Sequence, residues 1–354
     1  MKKTEQLRKK LFKNSLLTAL LLLTGVLGGC EKALMDDDAA ATPTSTFDYL
    51  WNVVDRQYAM FDVKGVDWDA VYDSLRPRVY DSMSYDSLYA VCASMLRTLN
   101  DGHVNLYTSY DVSRADSLYY RFYAEGGVDM DLVVLNYLGI NYHSTGGMVH
   151  SSLCDGRIIY MYYGSFSNSV SVGQLRHILE SYPKAEGLIL DLRGNGGGSL
   201  SNVDRLLHLF PSHGQKLYSS QIKNGPSHNA FGPWEDTHAP EIGDAACFEG
   251  PVLVLIDKGC YSATSVFAIS TKAYDNIRLM GDSTSGGLGL PTMGGLPNGW
   301  RYRFPVTHTI AIDGRNYENG VPPDIYLPFD REAAYLHHRD NIIDSACRIL
   351  VGKL

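Results

Sequence analysis

A chain of 354 residues is too long for one minimal hydrophobic core and short for three, so one large or two modest domains are expected. Hydrophobic residues make up 45% and charged residues 20%, the balance of an ordinary globular protein. The net charge of -8 deepens to -13 once residues 1–29 are set aside, and with no basic stripe to offset it that charge excludes nucleic acid as a partner.

Residues 1–29 read as a secretory signal: basic residues from Lys2 to Lys13, an apolar run from Leu16 to Leu27, then small residues. The run is shorter than the ~20 residues that cross a bilayer. The stretch Leu27-Gly28-Gly29-Cys30 resembles the lipobox of bacterial lipoproteins, which implies cleavage before Cys30 and acylation on it. Residues 30–45, with Asp36-Asp37-Asp38, fit a solvated tether; the acidic run also resembles a surface-export signal. The expected location is the bacterial cell envelope, with the chain exported and anchored in the membrane by lipid. The five later cysteines are scattered and without CxxC spacing, so neither a disulfide framework nor a zinc site is expected.

From residue 46 to 156 a helical N-terminal subdomain and a connecting segment are expected. Phe47, Leu50, Trp51, Val54 and Tyr58 recur at helical spacing, and Ser45 with Asp48 fits a capping box. Trp68, Val71, Tyr72 and Leu75 mark a second helix, stopped near Pro77; Leu88, Cys92, Met95, Leu96 and Leu99 mark a third, ended by Asn100-Asp101-Gly102. Beyond His103 the pattern is mixed, with alternation near Val104–Tyr107 and Asp131–Leu135.

Residues 157–354 read as α/β. Strands are expected at Arg157–Phe166, Leu188–Leu192, Val252–Asp257 and Ile277–Met280, with helices at Val172–Tyr182, Val203–Phe210 and from Cys260 to about Ala273. Ser212–Gly250 and Gly281–Gly299 read as loops, Trp300–Ile312 as a hairpin arm and Arg331–Leu350 as helical. Strands alternating with helices imply a mainly parallel sheet, in which chemistry collects on loops past the strand C-termini.

Three segments carry candidate chemistry. Asp191-Leu192-Arg193-Gly194-Asn195-Gly196-Gly197-Gly198 is an oxyanion hole, a phosphate cradle or simply a tight turn; it has neither GxGxxG nor a GK[ST] ending. Ser262, at the start of a helix straight after a buried strand, is either an N-cap or an exposed nucleophile with the Ala263 N–H beside it. His103 is a turn residue or a general base.

Taken in order, Leu-Asn-Asp-Gly-His (99–103), the loop at 191–198, Tyr-Ser-Ala-Thr-Ser (261–265), Gly-Asp-Ser-Thr-Ser-Gly-Gly (281–287) and Glu-Asn-Gly-Val-Pro-Pro-Asp (318–324) resemble the C-terminal processing (tail-specific) peptidases and the catalytic core of tricorn protease. The resemblance covers about residues 46–350. It implies a crotonase-like spiral of ββα units as the catalytic domain and a serine endopeptidase without cofactor or metal. By residue match it implies Ser262 as nucleophile, His103 as base and Glu318 as the acidic member, with Gly198 and Ala263 supplying oxyanion-hole N–H groups. One branch of the family uses a lysine base where this chain has Gly287; tricorn has a serine before its histidine where this chain has Gly102. The ~50 residues between His103 and Arg157 are short for a PDZ insert, so no intact PDZ is expected.

The expected activity is hydrolysis of peptides or unfolded proteins through an acyl-enzyme on Ser262, falling as pH drops through roughly 6–7 if the base has an ordinary imidazole pKa. The alternative is a non-catalytic peptide- or ligand-binding lipoprotein, since the same fold resembles retinoid-binding repeats. An α/β-hydrolase esterase is disfavoured because Gly259-Cys260-Tyr261-Ser262-Ala263 is not G-x-S-x-G.

Overall fold

The computed structural model describes residues 40–115, 127–242 and 247–352. The signal segment, Cys30 and nearly all of the tether lie outside the described residues. Among the described residues no helix is long and apolar enough to cross a membrane.

The N-terminal helices form where the apolar spacing places them. Helix α1 (Pro43–Gln57) starts at Thr42, whose side chain accepts from the Ser45 N–H. The expected Ser45–Asp48 box is therefore not formed: Asp48 Oδ1 instead accepts from Tyr72 and Arg76, 3.0 and 2.7 Å away. A short α2 (Phe61–Lys64) stops at Gly65 in the left-handed region. Helix α3 (Trp68–Leu75) is capped by Asp67, and α4 (Tyr85–Arg97) by Ser84. Their apolar stripes close on one core that also takes Leu296, Trp300, Tyr302 and Phe304 from far along the chain. The helical subdomain is thus built partly from the C-terminal half.

After strand β1 (Asn105–Tyr107) comes helix α5 (Met130–Val133), which runs on as a wider turn through Leu138. The alternation at Asp131–Leu135 is therefore helical. The adjacent Leu132 and Val133 are both buried, which a one-sided strand would not allow, and Asp129 caps the Leu132 N–H. The chain continues through β2 (His143–Thr145), β3 (Met148–Leu153), β4 (Ile158–Tyr162), α6 (Val172–Glu180), β5 (Gly187–Asp191) and α7 (Leu200–Leu207). Next are β6 (Lys216–Ile222), β7 (Glu235–His238), β8 (Val252–Ile256), α8 (Ala263–Ser270), β9 (Ile277–Gly281) and β10 (Pro291–Gly295). Then follow β11 (Arg301–Pro305), β12 (Thr307–Ala311), β13 (Ile325–Tyr326), α9 (Arg331–His337) and α10 (Asn341–Gly352). The reading of Ser212–Gly250 as loop missed β6 and β7, and the loop at Gly281–Gly299 contains β10.

Seven strands form the central sheet in the order β13-β9-β8-β5-β4-β3-β2, parallel from β13 to β4 and antiparallel beyond. Every residue of β5 and β8 is buried, as both faces are covered. One face packs on α6, α7 and α8 and the other on α5 and α10. Trp300–Ile312 is not a hairpin: β11 pairs with β1 and β10, whereas β12 pairs with β6 in a separate sheet, so the chain changes sheets at Val306. That crossing carries β11 into the helical subdomain and returns β12 to the α/β part of the chain.

Candidate active site

Strand β5 ends in a carboxylate, Asp191, that is wholly buried with Arg193. Arg193 binds Asp191 at 2.6 Å and reaches Asp340, at the start of α10, at 2.8 Å as an ion pair without hydrogen-bond alignment. Both residues are pins of their loop, as is Asp324, which accepts from the Leu279 N–H at 2.8 Å. The glycines that follow let the backbone press on the next strand-to-helix turn. A Cβ at Gly197 would lie 2.8 Å from the Ser262 Cβ and 3.0 Å from the Ala263 nitrogen. One at Gly198 would lie 2.3 Å from the Phe166 carbonyl carbon.

Asn195 locks this loop to the turn after β8. Its side-chain oxygen takes the Gly197 N–H at 3.0 Å and the Thr264 hydroxyl at 2.9 Å, and its carbonyl takes the Tyr261 N–H at 3.2 Å. Asp257 Oδ1 holds the Gly194 and Gly259 N–H groups. Neither Asn195 nor Asp257 had been marked as functional from the sequence. Each side chain bridges segments more than sixty residues apart, and only their places beside glycine turns hinted at it.

Ser262 sits at φ +56, ψ −121, a conformation costly for a residue with a Cβ, and its N–H donates to the Gly286 carbonyl at 2.9 Å. It stands at the cap position of α8, yet its side chain makes no cap hydrogen bond. The hydroxyl lies instead 3.0 Å from Nε2 of His103. The two residues are 159 positions apart, and the fold brings them together by docking the end of the helical subdomain against α8.

His103 is buried, and burial lowers its pKa to about 4; Arg303 and Lys64 push the same way, while Asp101 and the Gly289 carbonyl oppose it. Glu318, also buried, accepts through Oε2 from the Leu288 and Gly289 N–H groups at 2.7 and 3.0 Å. Among the described residues, Glu318 Oε1 and His103 Nδ1 have no well-formed hydrogen bond, to each other or to anything else. Burial, seconded by Asp101, raises the Glu318 pKa to about 8, which favours the uncharged acid, and the side chain pins the 288–289 loop. That has a consequence for stability. The folded acid keeps its proton up to about 8 while the unfolded one ionises above about 4.5, so the wild type loses stability as pH rises between them. Glutamine carries no such cost. The melting temperature of Glu318→Gln relative to wild type should therefore climb from pH 5 to pH 8, whereas a constant gap would mean that Glu318 is charged in the folded chain.

The two glycines that depart from the family pattern share one neighbour. A Cβ at Gly102 would lie 2.9 Å from the Tyr261 hydroxyl, and a Cβ at Gly287 would lie 2.3 Å from the Tyr261 ring. Tyr261, fully buried just before Ser262, fills the places where a serine at 102 or a lysine at 287 would stand. Its ring centroid is 4.8 Å from that of His103.

A hydroxyl on a strained turn, within reach of a buried imidazole and flanked by a glycine loop, is the geometry of a serine hydrolase. The chain belongs to peptidase family S41, which matches residues 157–327, while residues 39–97 match the tricorn protease C1 domain. The structure of a candidate peptidase from Parabacteroides merdae ATCC 43184 is similar at 35% identity and a TM-score of 0.81, covering 87% of this chain and 96% of that one. Carboxy-terminal processing protease CtpA of Bacillus subtilis (strain 168) is 26% identical over 180 residues, which is 50% of this chain and 36% of CtpA. Mature CPAF complexed with lactacystin shares the fold at a TM-score of 0.67 and 13% identity, over 88% of this chain and 99% of that one. The fold is accordingly the crotonase-like spiral of this family with a helical N-terminal subdomain.

Proposed function

We propose that the chain is a serine endopeptidase that cuts peptides or unfolded proteins, with Ser262 as nucleophile and His103 as general base. The observation that carries this reading is the 3.0 Å approach of the Ser262 hydroxyl to His103 Nε2 from a strained turn that leaves the hydroxyl uncapped. In the reaction Ser262 Oγ attacks the scissile carbonyl, its proton passes to Nε2, and the imidazolium then protonates the leaving amine. The developing oxyanion is received by the N–H groups of Gly198 and Ala263, the latter at the positive end of α8. A hydroxyl drawn to an imidazole gives no support to the non-catalytic alternative. The signal and lipobox at Leu27–Cys30 support export and anchoring in the cell envelope, and Cys30→Ser should release the chain from membranes.

The base must be neutral to work. With its pKa lowered to about 4 by burial, His103 stays neutral well below an ordinary imidazole. On an unstructured peptide substrate kcat/KM should therefore stay flat from pH 7 to about 5 and fall only as pH approaches about 4. A fall centred at 6–7, the expectation for an exposed histidine, would place the working imidazole in a wetter site than this one.

A further inference from the structure

The carboxylate two residues before His103 makes contacts of its own. Asp101 is buried, and its two oxygens are spoken for. Oδ1 accepts the backbone N–H of His103 at 2.8 Å and lies 3.4 Å from the Tyr261 hydroxyl, and Oδ2 accepts the Tyr58 hydroxyl at 2.9 Å. Tyr58 follows α1 and Tyr261 precedes the nucleophile, so this one carboxylate ties the first helix, the base and the turn of Ser262 together.

We propose that Asp101, clamped by Tyr58 and Tyr261, is the positioning residue that holds His103 against Ser262 and offsets the charge the imidazole gains when it takes the serine proton. The inference rests on the reading of Ser262 and His103 as nucleophile and base.

The groups that face His103 sort by sign. Arg303 on β11 and Lys64 at the end of α2 disfavour the imidazolium, and Asp101 favours it. Tyr58 and Tyr261 remain neutral phenols, since burial and the neighbouring carboxyls Asp101 and Glu318 raise both pKa values well above 10. Burial raises the pKa of Glu318, and the side chain spends one oxygen on the Leu288 and Gly289 N–H groups. Asp101, bonded to the His103 backbone N–H, is a carboxylate placed to favour the charged form of the base. Tyr261 links this brace to the nucleophile. Its ring packs on His103 from the space that Gly102 and Gly287 leave open, and its hydroxyl meets Asp101, so one side chain touches both the base and its brace.

The test compares full-length Asp101→Asn, Tyr261→Phe and Glu318→Gln with the wild type, each shown to be folded by circular dichroism. Asparagine keeps the acceptor for the His103 N–H but loses the charge. In Asp101→Asn kcat should fall roughly 10- to 100-fold with KM within about twofold, and the acidic limb of kcat/KM should move down by about half a pH unit or more. In Tyr261→Phe, which keeps the ring and loses only the hydroxyl, kcat should fall less, again with KM little changed. Glu318→Gln should leave the limb where it is. A folded Asp101→Asn enzyme with wild-type kcat and an unmoved limb overturns the inference, as does a limb that moves in Glu318→Gln instead. In either case inactive Ser262→Ala and His103→Ala proteins leave the nucleophile and base standing. Wild-type turnover in either alanine variant overturns both readings.

Discussion

Ser262→Ala should lower peptide hydrolysis by roughly 10³- to 10⁶-fold, and His103→Ala by a similar factor, with the double variant little worse than either alone. A serine hydroxyl is scarcely nucleophilic until something takes its proton, and His103 Nε2 is 3.0 Å from Oγ. As nucleophile and base the two should behave as a unit, so that losing one makes the other idle. The loss should fall on kcat, because both side chains are expected to act on the reacting bond. Turnover of an unstructured peptide by the three folded variants checks this. Near-normal turnover in His103→Ala beside a dead Ser262→Ala would separate the pair. His308 would then be the next candidate, although it lies on β12 beside Phe231 and Trp234.

Gly287→Lys should not install the lysine base of the other family branch; it should abolish hydrolysis. Position 287 has φ +76, where a side chain is strained, and a Cβ there would meet two Tyr261 ring carbons at 2.3 and 2.4 Å and the Tyr261 hydroxyl at 2.7 Å. The ring cannot retreat cheaply, because Gly102 packs against its hydroxyl end and a buried network holds that hydroxyl. Strain and overpacking together cost about 2–5 kcal/mol, and the displaced ring carries Ser262 with it. Thermal melts and peptide turnover should show a lower melting temperature and at least ~100-fold less activity. Gly287→Ala should already show most of the effect, since the collision begins at Cβ. Activity recovered in Gly287→Lys combined with His103→Ala would mean that a lysine base can form here after all.

How far the site was legible follows from what a linear pattern can carry. Ser262, His103, the glycine loop and Glu318 each sit in a short motif next to a turn, and the order of those motifs, through its resemblance to a known family, marked them as candidates. The spacing also marked α1, α3 and α4, because each has a sustained helical stripe. Contacts that depend on the third dimension were not legible. Asp101 reads as a turn aspartate and does hold the His103 N–H as one, but the meeting of Tyr58 and Tyr261 around its carboxylate was not legible. Glu318 was marked by its motif, but the rise in its pKa comes from burial that no spacing encodes. The two strands of Trp300–Ile312 alternate as a hairpin would, and nothing local signals that their partners, β1 and β10 for one and β6 for the other, lie in different sheets. Helix α5 is too short for its period to outweigh two turns of alternation.

The most direct test of Ser262 as the activated nucleophile is mass spectrometry after treatment with a fluorophosphonate, which phosphonylates only an activated serine. The adduct should fall on the peptide that contains Ser262, form at pH 7 and at pH 5, fade as pH nears about 4, and be nearly absent in folded His103→Ala protein. No adduct on Ser262 in the folded wild-type chain, or equal labelling with and without His103, would contradict it.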